Sequence, residues 1–264
     1  MSLLERIIED RRHDQPQTVD RQRLQGMLQQ CHALPPVRSL ARALQSSPAL
    51  IAEIKRHSPS HQTFPGFRDP QDLALAYQRH GAVAVSVLTN EKYFGMRKSD
   101  LSNVTAAIGI PVLSNEFIIS EFDVLESRLL GADAVLLIVR LLNDVTLATL
   151  AGLAGQIGLE VLLEVHNAAE LERALALEPG IIGVNARNLD TMEMDLPGAL
   201  RLACRVPRGI LVVAESGIGG RSDINRYLEH GVNSFLIGTE LLRHENPEQR
   251  LAALLAREDS HGAL

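Results

Sequence analysis

The feature that most constrains the fold of this chain is a regular alternation of short aliphatic runs with longer amphipathic stretches, beginning near residue 48. Successive runs are about 20 to 30 residues apart, which is the length of one strand followed by one helix. The eight runs lie at residues 50–55, 82–89, 111–113, 134–139, 160–165, 181–185, 210–215 and 234–238. Eight uniform units favour a closed (β/α)8 TIM barrel, because an open doubly wound sheet usually has fewer strands.

The stretches between these runs carry helix signals. Amphipathic patterns predict helices at residues 70–79, 121–130, 168–177, 223–229 and 247–256. Glycines stand in several turns that lead from a helix to the next strand, as is typical where a helix ends. These glycines are Gly81, Gly131, Gly158 and Gly231.

The first 48 residues lie outside the alternation. They contain two helical patterns, at residues 3–11 and 19–31, which are followed by a break at residues 32–36. We interpret residues 1–48 as a helical extension that closes one end of a barrel formed by residues 49–264. A mobile arm is the alternative.

The composition fits a barrel with an aliphatic core. Of the 264 residues, 45% are apolar but only 3% are aromatic, and tryptophan is absent. Parallel strands that are covered on both faces need such aliphatic side chains. The longest apolar runs, such as residues 134–139, are far too short to span a bilayer.

The net charge limits which binding partners this protein can have, and the cysteines indicate its cellular compartment. The net charge is −6 and no large cluster of lysine and arginine occurs, which argues against a nucleic-acid or membrane-surface partner. Cys31 and Cys204 lack a metal-binding spacing and fit free thiols in a reducing cytoplasm. The histidines show no ligand pattern, so we expect no metal.

In barrels of this kind, functional side chains lie at the carboxyl ends of the strands. Glu53 and Lys55 end the first run, and their spacing of two places both on one face of the strand. A carboxylate and an ammonium there suit proton transfer and anion binding, with a rim ion pair as the alternative. Glu164 near the end of the fifth run adds a second carboxylate, for which a solvated side chain at the start of a loop is the alternative.

The last three runs carry groups suited to a carboxylate and a phosphate. Arg187 lies two residues after Asn185, and its planar guanidinium group can donate two hydrogen bonds to a carboxylate. The seventh run leads into Ser216 and Gly217, and the eighth leads into Gly238. Backbone N–H groups of these two loops form the usual phosphate site of the fold, with ordinary turns as the alternative.

The few aromatic residues include a group that follows the second and third runs. Tyr93 and Phe94 come after the second run, and Phe117 comes after the third. Aromatic side chains at strand ends predict a wall for a planar substrate ring, and packing beneath a loop is the alternative.

Short motifs occur along the chain in a characteristic order. They include Ile-Ala-Glu-Ile-Lys at 51–55, Ser-Pro-Ser at 58–60, Lys-Tyr-Phe at 92–94, Glu-Val-His at 164–166 and Ala-Glu-Ser-Gly-Ile at 214–218. In this order they resemble the indole-3-glycerol phosphate synthase family over about residues 48–245. The resemblance implies a (β/α)8 barrel with an N-terminal helical extension, no metal and no redox cofactor. We expect a monomer or a homodimer.

The resemblance implies a small phosphorylated aryl-aminoketose substrate, 1-(2-carboxyphenylamino)-1-deoxyribulose 5-phosphate. An aryl carbon attacks the ketone, and carbon dioxide and water leave. The catalytic positions carried over by resemblance are Glu53, Lys55, Glu164, Asn185 and Asn115. The substrate-binding positions carried over are Ser58, Pro59, Phe94, Phe117, Leu136, Arg187, Leu189, Glu215, Ser216, Gly217, Gly238 and Thr239.

The chain departs from the family pattern in the loops after the first three strands. Asn115 stands where the resemblance predicts a lysine that acts as the general acid, and an amide cannot supply a proton at neutral pH. Losing a positioned acid typically costs about 10²–10⁴-fold in rate. The other departures are Asn90, His61, Gln62, Met96 and Arg97.

These departures leave three hypotheses about function. The first is the standard ring closure, with Lys55 as the proton donor. The second is a related step on another aminoketose phosphate in specialised metabolism. The third is a catalytically silent partner that binds a phosphometabolite. Retention of Glu53, Lys55, Glu164 and Asn185 argues against the third, because binding an anion does not need two carboxylates.

Overall fold

The computed structural model of the chain describes residues 3–14, 20–59 and 61–256. Two residues named in the sequence patterns, Val19 and Ser60, lie outside the described residues. Within the described ranges no helix is both long enough and apolar enough to cross a membrane.

Eight parallel strands in the described part of the chain form a closed barrel in the order of the sequence, which confirms the predicted fold. The strands are β1 (Ala49–Ile54), β2 (Ala84–Leu88), β3 (Val112–Asn115), β4 (Ala134–Ile138), β5 (Glu160–Val165), β6 (Ile181–Asn185), β7 (Leu211–Glu215) and β8 (Ser234–Ile237). The barrel closes where β8 pairs with β1, with Ser234 opposite Ala49.

Helices alternate with these strands and cover the outside of the barrel. They are α1 (Leu3–Asp14), α2 (Arg21–His32), α3 (Leu40–Ala43), α4 (Pro70–Arg79), α5 (Glu91–Phe94), α6 (Lys98–Ala107), α7 (Glu121–Leu129), α8 (Asp144–Gln156), α9 (Ala168–Leu175), α10 (Leu196–Ala203), α11 (Arg221–Leu228), α12 (Thr239–Leu242) and α13 (Pro247–Leu255). A single turn of 3-10 helix, Val139–Leu141, follows β4. The five predicted helices are present, and each begins and ends within two residues of its predicted bounds.

Local sequence signals set the ends of several helices. Asp69 and Ser120 cap α4 and α7 by accepting hydrogen bonds from backbone N–H groups of the first turn. Gly81 and Gly131, which follow the same two helices, have φ angles of 99° and 93°. Side chains other than glycine rarely adopt these left-handed angles, so the glycines end the helices and turn the chain toward the next strand.

Each strand sends alternate side chains into two separate cores. On β1, Ala49 and Ile51 point into the barrel interior, where they pack with inward side chains of the other strands. Leu50 and Ala52 point outward and join the larger core between the strands and the helices. Because the period is two, Glu53 continues the inward row at the carboxyl end of β1.

The N-terminal extension contacts both ends of the barrel, whereas the sequence predicted closure of one end. At the amino ends of the strands, Leu40 of α3 is fully buried in the interior core, and Ser39 donates a hydrogen bond to Glu160 at 2.7 Å. At the opposite end, Leu4 and Ile7 of α1 line the cavity of the barrel mouth. The division at residue 48 stays a prediction, and β1 begins at Ala49.

Replacing Asp133 with alanine is expected to lower the free energy of unfolding by about 2–3 kcal/mol. The buried carboxylate accepts hydrogen bonds from the backbone N–H groups of Arg38 and Val112, both at 2.8 Å, and pairs with the Arg38 guanidinium at 2.7 Å. Urea denaturation would measure the loss. The matched control is Asp144→Ala, because Asp144 pairs with Arg173 but is 80% exposed. A loss as large in the control would contradict the assignment.

Candidate active site

The barrel mouth holds a cavity of about 150 Å³ at the carboxyl ends of the strands. Polar side chains come from the strand ends, and apolar side chains come mainly from the loops and α1. Among the residues predicted from the sequence, the cavity brings together Glu53, Lys55, Ser58, Pro59, Phe94, Asn115, Phe117, Glu164, Asn185, Arg187, Leu189, Glu215, Ser216 and Thr239. It is also lined by Leu4, Ile7, Leu88, Glu116, Ile138, Met192 and Leu236, which the sequence reasoning did not assign to the site.

Glu53, Lys55 and Asn115 form a polar cluster at the ends of β1 and β3. The Lys55 ammonium makes a close ion pair with Glu53 Oε1, and Asn115 Nδ2 donates to Glu53 Oε2 at 3.3 Å. The Lys55 side chain is only 12% exposed, so the pair lies inside the mouth. Asn115 therefore helps to orient Glu53, and Lys55 contributes the ammonium group of this cluster.

Glu164 and Glu215 form a buried carboxyl pair at the ends of β5 and β7. They are 4% and 3% exposed, so Glu164 is not a solvated loop residue. Each carboxyl group lies within hydrogen-bonding reach of the other, and Asn185 lies within reach of Glu164. Among the described residues, neither Oε1 atom makes a hydrogen bond of good geometry, and Glu164 Oε1 lies 3.2 Å from His166 Nε2.

The two carboxyl groups differ in ionisation. Burial raises the pKa of Glu215 well above its usual range, and the charge of Glu164 raises it further. Burial also acts to raise the pKa of Glu164, but contact with His166 outweighs it, and the net direction is downward. Glu215 therefore holds a proton more tightly than Glu164 does, which makes Glu164 the stronger candidate for a base.

Gly183 on β6 makes room for the carboxyl pair. A Cβ atom at this position would lie 2.0 Å from Glu215 Oε1 and 2.5 Å from Leu162 Cδ2. The residue points into the barrel beside Glu164 and Val213, its partners on the neighbouring strands. A glycine inside a strand often marks such a close approach, and this signal was available in the sequence.

The substitution Gly183→Ala is expected to displace the Glu215 carboxyl group and to lower kcat by about tenfold or more, since about 1 Å of misplacement at a reacting centre is costly. Steady-state kinetics and thermal unfolding would separate this effect from loss of fold. Gly152→Ala is the matched control, because a Cβ atom at Gly152 meets nothing within 4 Å. Equal kcat values for the two variants would show that the Glu215 position is unimportant.

One end of the cavity is apolar and carries an aromatic wall. The rings of Phe94 and Phe117 are stacked, with centroids 6.3 Å apart and planes inclined by 12°. Both rings border the cavity, so they do more than pack beneath a loop. The other apolar side chains of the lining are Leu4, Ile7, Pro59, Leu88, Ile138, Leu189, Met192 and Leu236.

Leu136, which the resemblance placed in the aryl pocket, lies deeper in the barrel. It is fully buried in the interior core below the mouth. Ile138, two residues farther along β4 and on the same face, lines the cavity instead. The position of the cavity floor depends on the stagger of the strands, which the sequence pattern alone does not specify.

The side chain of Glu116 stabilises the loop after β3 through hydrogen bonds. It accepts hydrogen bonds from Thr89 Oγ1 and from the backbone N–H of Phe117, both at 2.8 Å. Arg11 of α1 lies 3.9 Å from the same carboxylate and pairs with Asp123 at 2.6 Å. These contacts hold Asn115 and Phe117 at the cavity wall and tie α1 over the mouth.

The other end of the site is a smaller cavity of about 90 Å³ between the loops after β7 and β8. Gly217 and Gly238 line it, together with Ser216 and Thr239. Ser216 has a φ of 63°, a strained left-handed value for a non-glycine residue, and Gly217 follows with 74°. Such consecutive turns aim backbone N–H groups into a concavity that suits an anion.

Gly238 is needed for the position of Glu53 as well. A Cβ atom there would lie 2.2 Å from Glu53 Oε1 and 2.9 Å from Glu53 Cβ. The small cavity and the carboxylate cluster are therefore adjacent, and Lys55 borders both cavities. Within the described ranges, no group of three or more His, Cys, Asp or Glu side chains is placed to hold a metal ion.

Comparisons with known proteins identify the family. The chain matches the family model described as indole-3-glycerol phosphate synthase over residues 4–254. A curated relative with this name from Polaromonas sp. is 38% identical over 257 residues, which cover 96% of this chain and 97% of the relative. Another, from Polaromonas naphthalenivorans, is 39% identical over 257 residues, which cover 96% of this chain and 98% of the relative.

Among solved structures, an N-acetylmannosamine-6-phosphate 2-epimerase from Clostridium perfringens matches with a TM-score of 0.62 and 14% identity. The match covers 80% of this chain and 93% of that one, and it shows a shared fold alone. The family match and the two curated relatives, by contrast, extend over nearly the whole chain. This chain therefore belongs to the indole-3-glycerol phosphate synthase family.

Proposed function

We propose that this protein closes the indole ring of 1-(2-carboxyphenylamino)-1-deoxyribulose 5-phosphate and releases carbon dioxide and water. The observation that carries the proposal is a pair of adjacent cavities that share Lys55, one with the aromatic wall and the other lined by glycines. A substrate with an aryl group at one end and a phosphate at the other brings its ketone to Lys55. Family membership supports this reaction over a changed one.

The two ends of the site match the two ends of the substrate. The carboxyphenyl ring lies against Phe94 and Phe117, and Arg187 pairs with its carboxylate. The phosphate lies in the small cavity, where it meets the backbone of Gly217 and Gly238. The raised pKa of Glu215 favours its neutral form, which lowers the negative charge of a mouth that must accept an anionic substrate.

The first chemical step joins two carbon atoms of the substrate. The aryl carbon that bears the carboxylate attacks the ketone carbon, and Lys55 donates its proton to the carbonyl oxygen. Glu53, held by Lys55 and Asn115, keeps the ammonium aimed at the reacting centre. The carbon–carbon bond to the carboxylate then breaks, its electron pair restores the aromatic ring, and carbon dioxide leaves.

The second step removes water. The hydroxyl group formed from the ketone leaves with a proton from an acid, and Glu164 accepts a proton from the adjacent CH₂ carbon. The electron pair of that carbon–hydrogen bond forms the double bond of the indole. A buried carboxylate that keeps its negative charge is suited to this role.

The remaining expectations about the protein's setting are part of the proposal. The family acts on a phosphorylated substrate, and we propose that this chain does so in the cytoplasm, as a monomer or a homodimer. No nucleic-acid partner is proposed.

The proposed function is tested by following indole fluorescence when the purified protein meets the aryl-aminoketose phosphate. Steady turnover is expected, although position 115 carries no lysine. Calorimetry with the same substrate gives the binding constant. Micromolar binding with no turnover would contradict the proposed catalytic function and would support the hypothesis of a binding protein.

Asn115→Lys is expected to raise kcat by about tenfold or more, because a second proton donor beside the reacting centre contributes to ring closure. The amide already contacts Glu53 at the cavity wall, so a lysine at this position reaches the same cluster. Asn115→Met, which is similar in length but carries no charge, is the control and is expected not to raise kcat. An unchanged or lower kcat for the lysine variant would show that the site does not use an acid at this position.

A further inference from the structure

His166 is a buried residue beside Glu164 that the proposed reaction steps do not use. It follows β5 directly, and its side chain is 6% exposed. The ring lies between two carboxylates, with Nε2 3.2 Å from Glu164 Oε1 and Nδ1 3.0 Å from Glu170 Oε2. The contact with Glu164 is ionic and lacks the alignment of a hydrogen bond.

Glu170 is itself fixed from several sides. Its Oε2 atom accepts a second hydrogen bond from the backbone N–H of His166, at 2.8 Å. Its Oε1 atom accepts from Asn167 Nδ2 at 2.7 Å and lies 3.5 Å from Arg140 Nε. The His166 ring is therefore locked at Nδ1, and its other nitrogen can only face Glu164.

We propose that His166 is a positioning residue that, as an imidazolium held by Glu170, keeps Glu164 ionised and fixes it at the reacting centre. The inference rests on the proposed function, since it assigns Glu164 the role of base. Glu170 pairs with Nδ1 of His166, and Nε2 of His166 pairs with Glu164. The negative charge that Glu164 keeps in turn raises the pKa of Glu215. No bond to the substrate is made by His166.

The charges around the ring favour this arrangement. Burial acts to lower the pKa of His166, but the close contacts with the Glu164 and Glu170 carboxylates and the charges of both groups outweigh burial and raise it to about 9. The ring is therefore protonated at neutral pH and loses its proton only as the pH rises through about 9. His166 also lines a second cavity, together with the charged side chains of Arg140, Arg187, Asp195, Arg201 and Arg205. The positive charges of these arginines oppose the imidazolium, whereas the two carboxylates lie within 3.2 Å of its nitrogens and favour it.

The test is His166→Gln in the full-length protein, with kcat and KM measured across pH. Glutamine keeps a hydrogen-bond donor but carries no charge, so the pKa of Glu164 rises in the variant. The acidic limb of the kcat profile is expected to move up by about one pH unit or more. At neutral pH kcat is expected to fall by about tenfold or more, with KM nearly unchanged. His230→Gln, at an exposed ring that contacts the Arg226 carbonyl, is the matched control.

A second readout does not depend on turnover. The ¹⁵N signals of the His166 imidazole are expected to show both nitrogens protonated at pH 7.5, and Glu164→Gln is expected to lower that titration point. A neutral ring at pH 7.5, or an acidic limb that does not move in an active His166→Gln variant, would overturn the inference. Absence of turnover by the wild-type chain would reject the proposed function, and the imidazole titration would still decide the charge of His166.

Discussion

Replacing Lys55 with alanine is expected to lower kcat by about 10³-fold, within the range for loss of a positioned acid. With asparagine at position 115, we propose Lys55 as the proton donor, and its ammonium group contacts Glu53 at the mouth. Its removal takes away both the proton and the cation that faces the ketone, and it leaves Glu53 without its charged partner. The indole fluorescence assay under saturating substrate measures the loss.

The variant Lys55→Arg separates the effect of proton donation from the effect of the positive charge at this position. An arginine keeps the positive charge but holds its proton too tightly to donate it, so kcat is expected to stay low while substrate binding recovers. The control is Lys98→Ala, since Lys98 pairs with Glu126 on the surface and its side chain is 48% exposed. Near-normal kcat in Lys55→Arg would show that Lys55 acts by its charge alone.

Replacing Glu164 with glutamine is expected to lower kcat by about 10²–10⁴-fold, because the substitution removes the base and keeps the shape. The pKa of Glu164 is lowered despite burial, so its carboxylate is present at neutral pH and is lost as the solution becomes acidic. The wild-type enzyme is therefore expected to keep its activity as the pH falls from neutrality and to lose it only below the usual glutamate pKa of 4.5. A stopped-flow record is expected to show early release of carbon dioxide with slow formation of indole.

The matched control for this variant lies on the same strand. Glu160 begins β5 at the opposite end of the barrel, where it accepts hydrogen bonds from Ser39 Oγ and from the backbone N–H of Ala41, both at 2.7 Å. Glu160→Gln is expected to reduce stability and to leave kcat close to the wild-type value. A similar loss of kcat in both variants would place the effect of Glu164 in the fold and not in the chemistry.

Period-two alternation made much of the site predictable from sequence. The spacing of Glu53 and Lys55 predicted one shared face, and both side chains border the cavity. The same reasoning, together with the rule that function lies at the carboxyl ends of barrel strands, selected Glu164, Asn185 and Arg187, which line the same mouth. These predictions required only that we know which side chains point into the barrel, because strand geometry determines this.

Other features depend on distances that alternation does not encode. The choice between Leu136 and Ile138 as a lining residue is set by the stagger of β4 in the closed barrel. The position of α1 over the mouth depends on long-range pairs such as Arg11 with Asp123, separated by 112 residues in the chain. The ionisation of Glu215 depends on burial and on a neighbouring charge, and no local motif reveals either.

The most direct test of the proposed reaction uses substrate labelled with ¹³C in its carboxylate group. We propose that this chain closes the indole ring although Asn115 stands where the family pattern has a lysine, at the end of β3. The wild-type protein is expected to release one labelled carbon dioxide for each indole formed, over many turnovers. Bound substrate that is recovered intact, or converted without loss of the label, would contradict it.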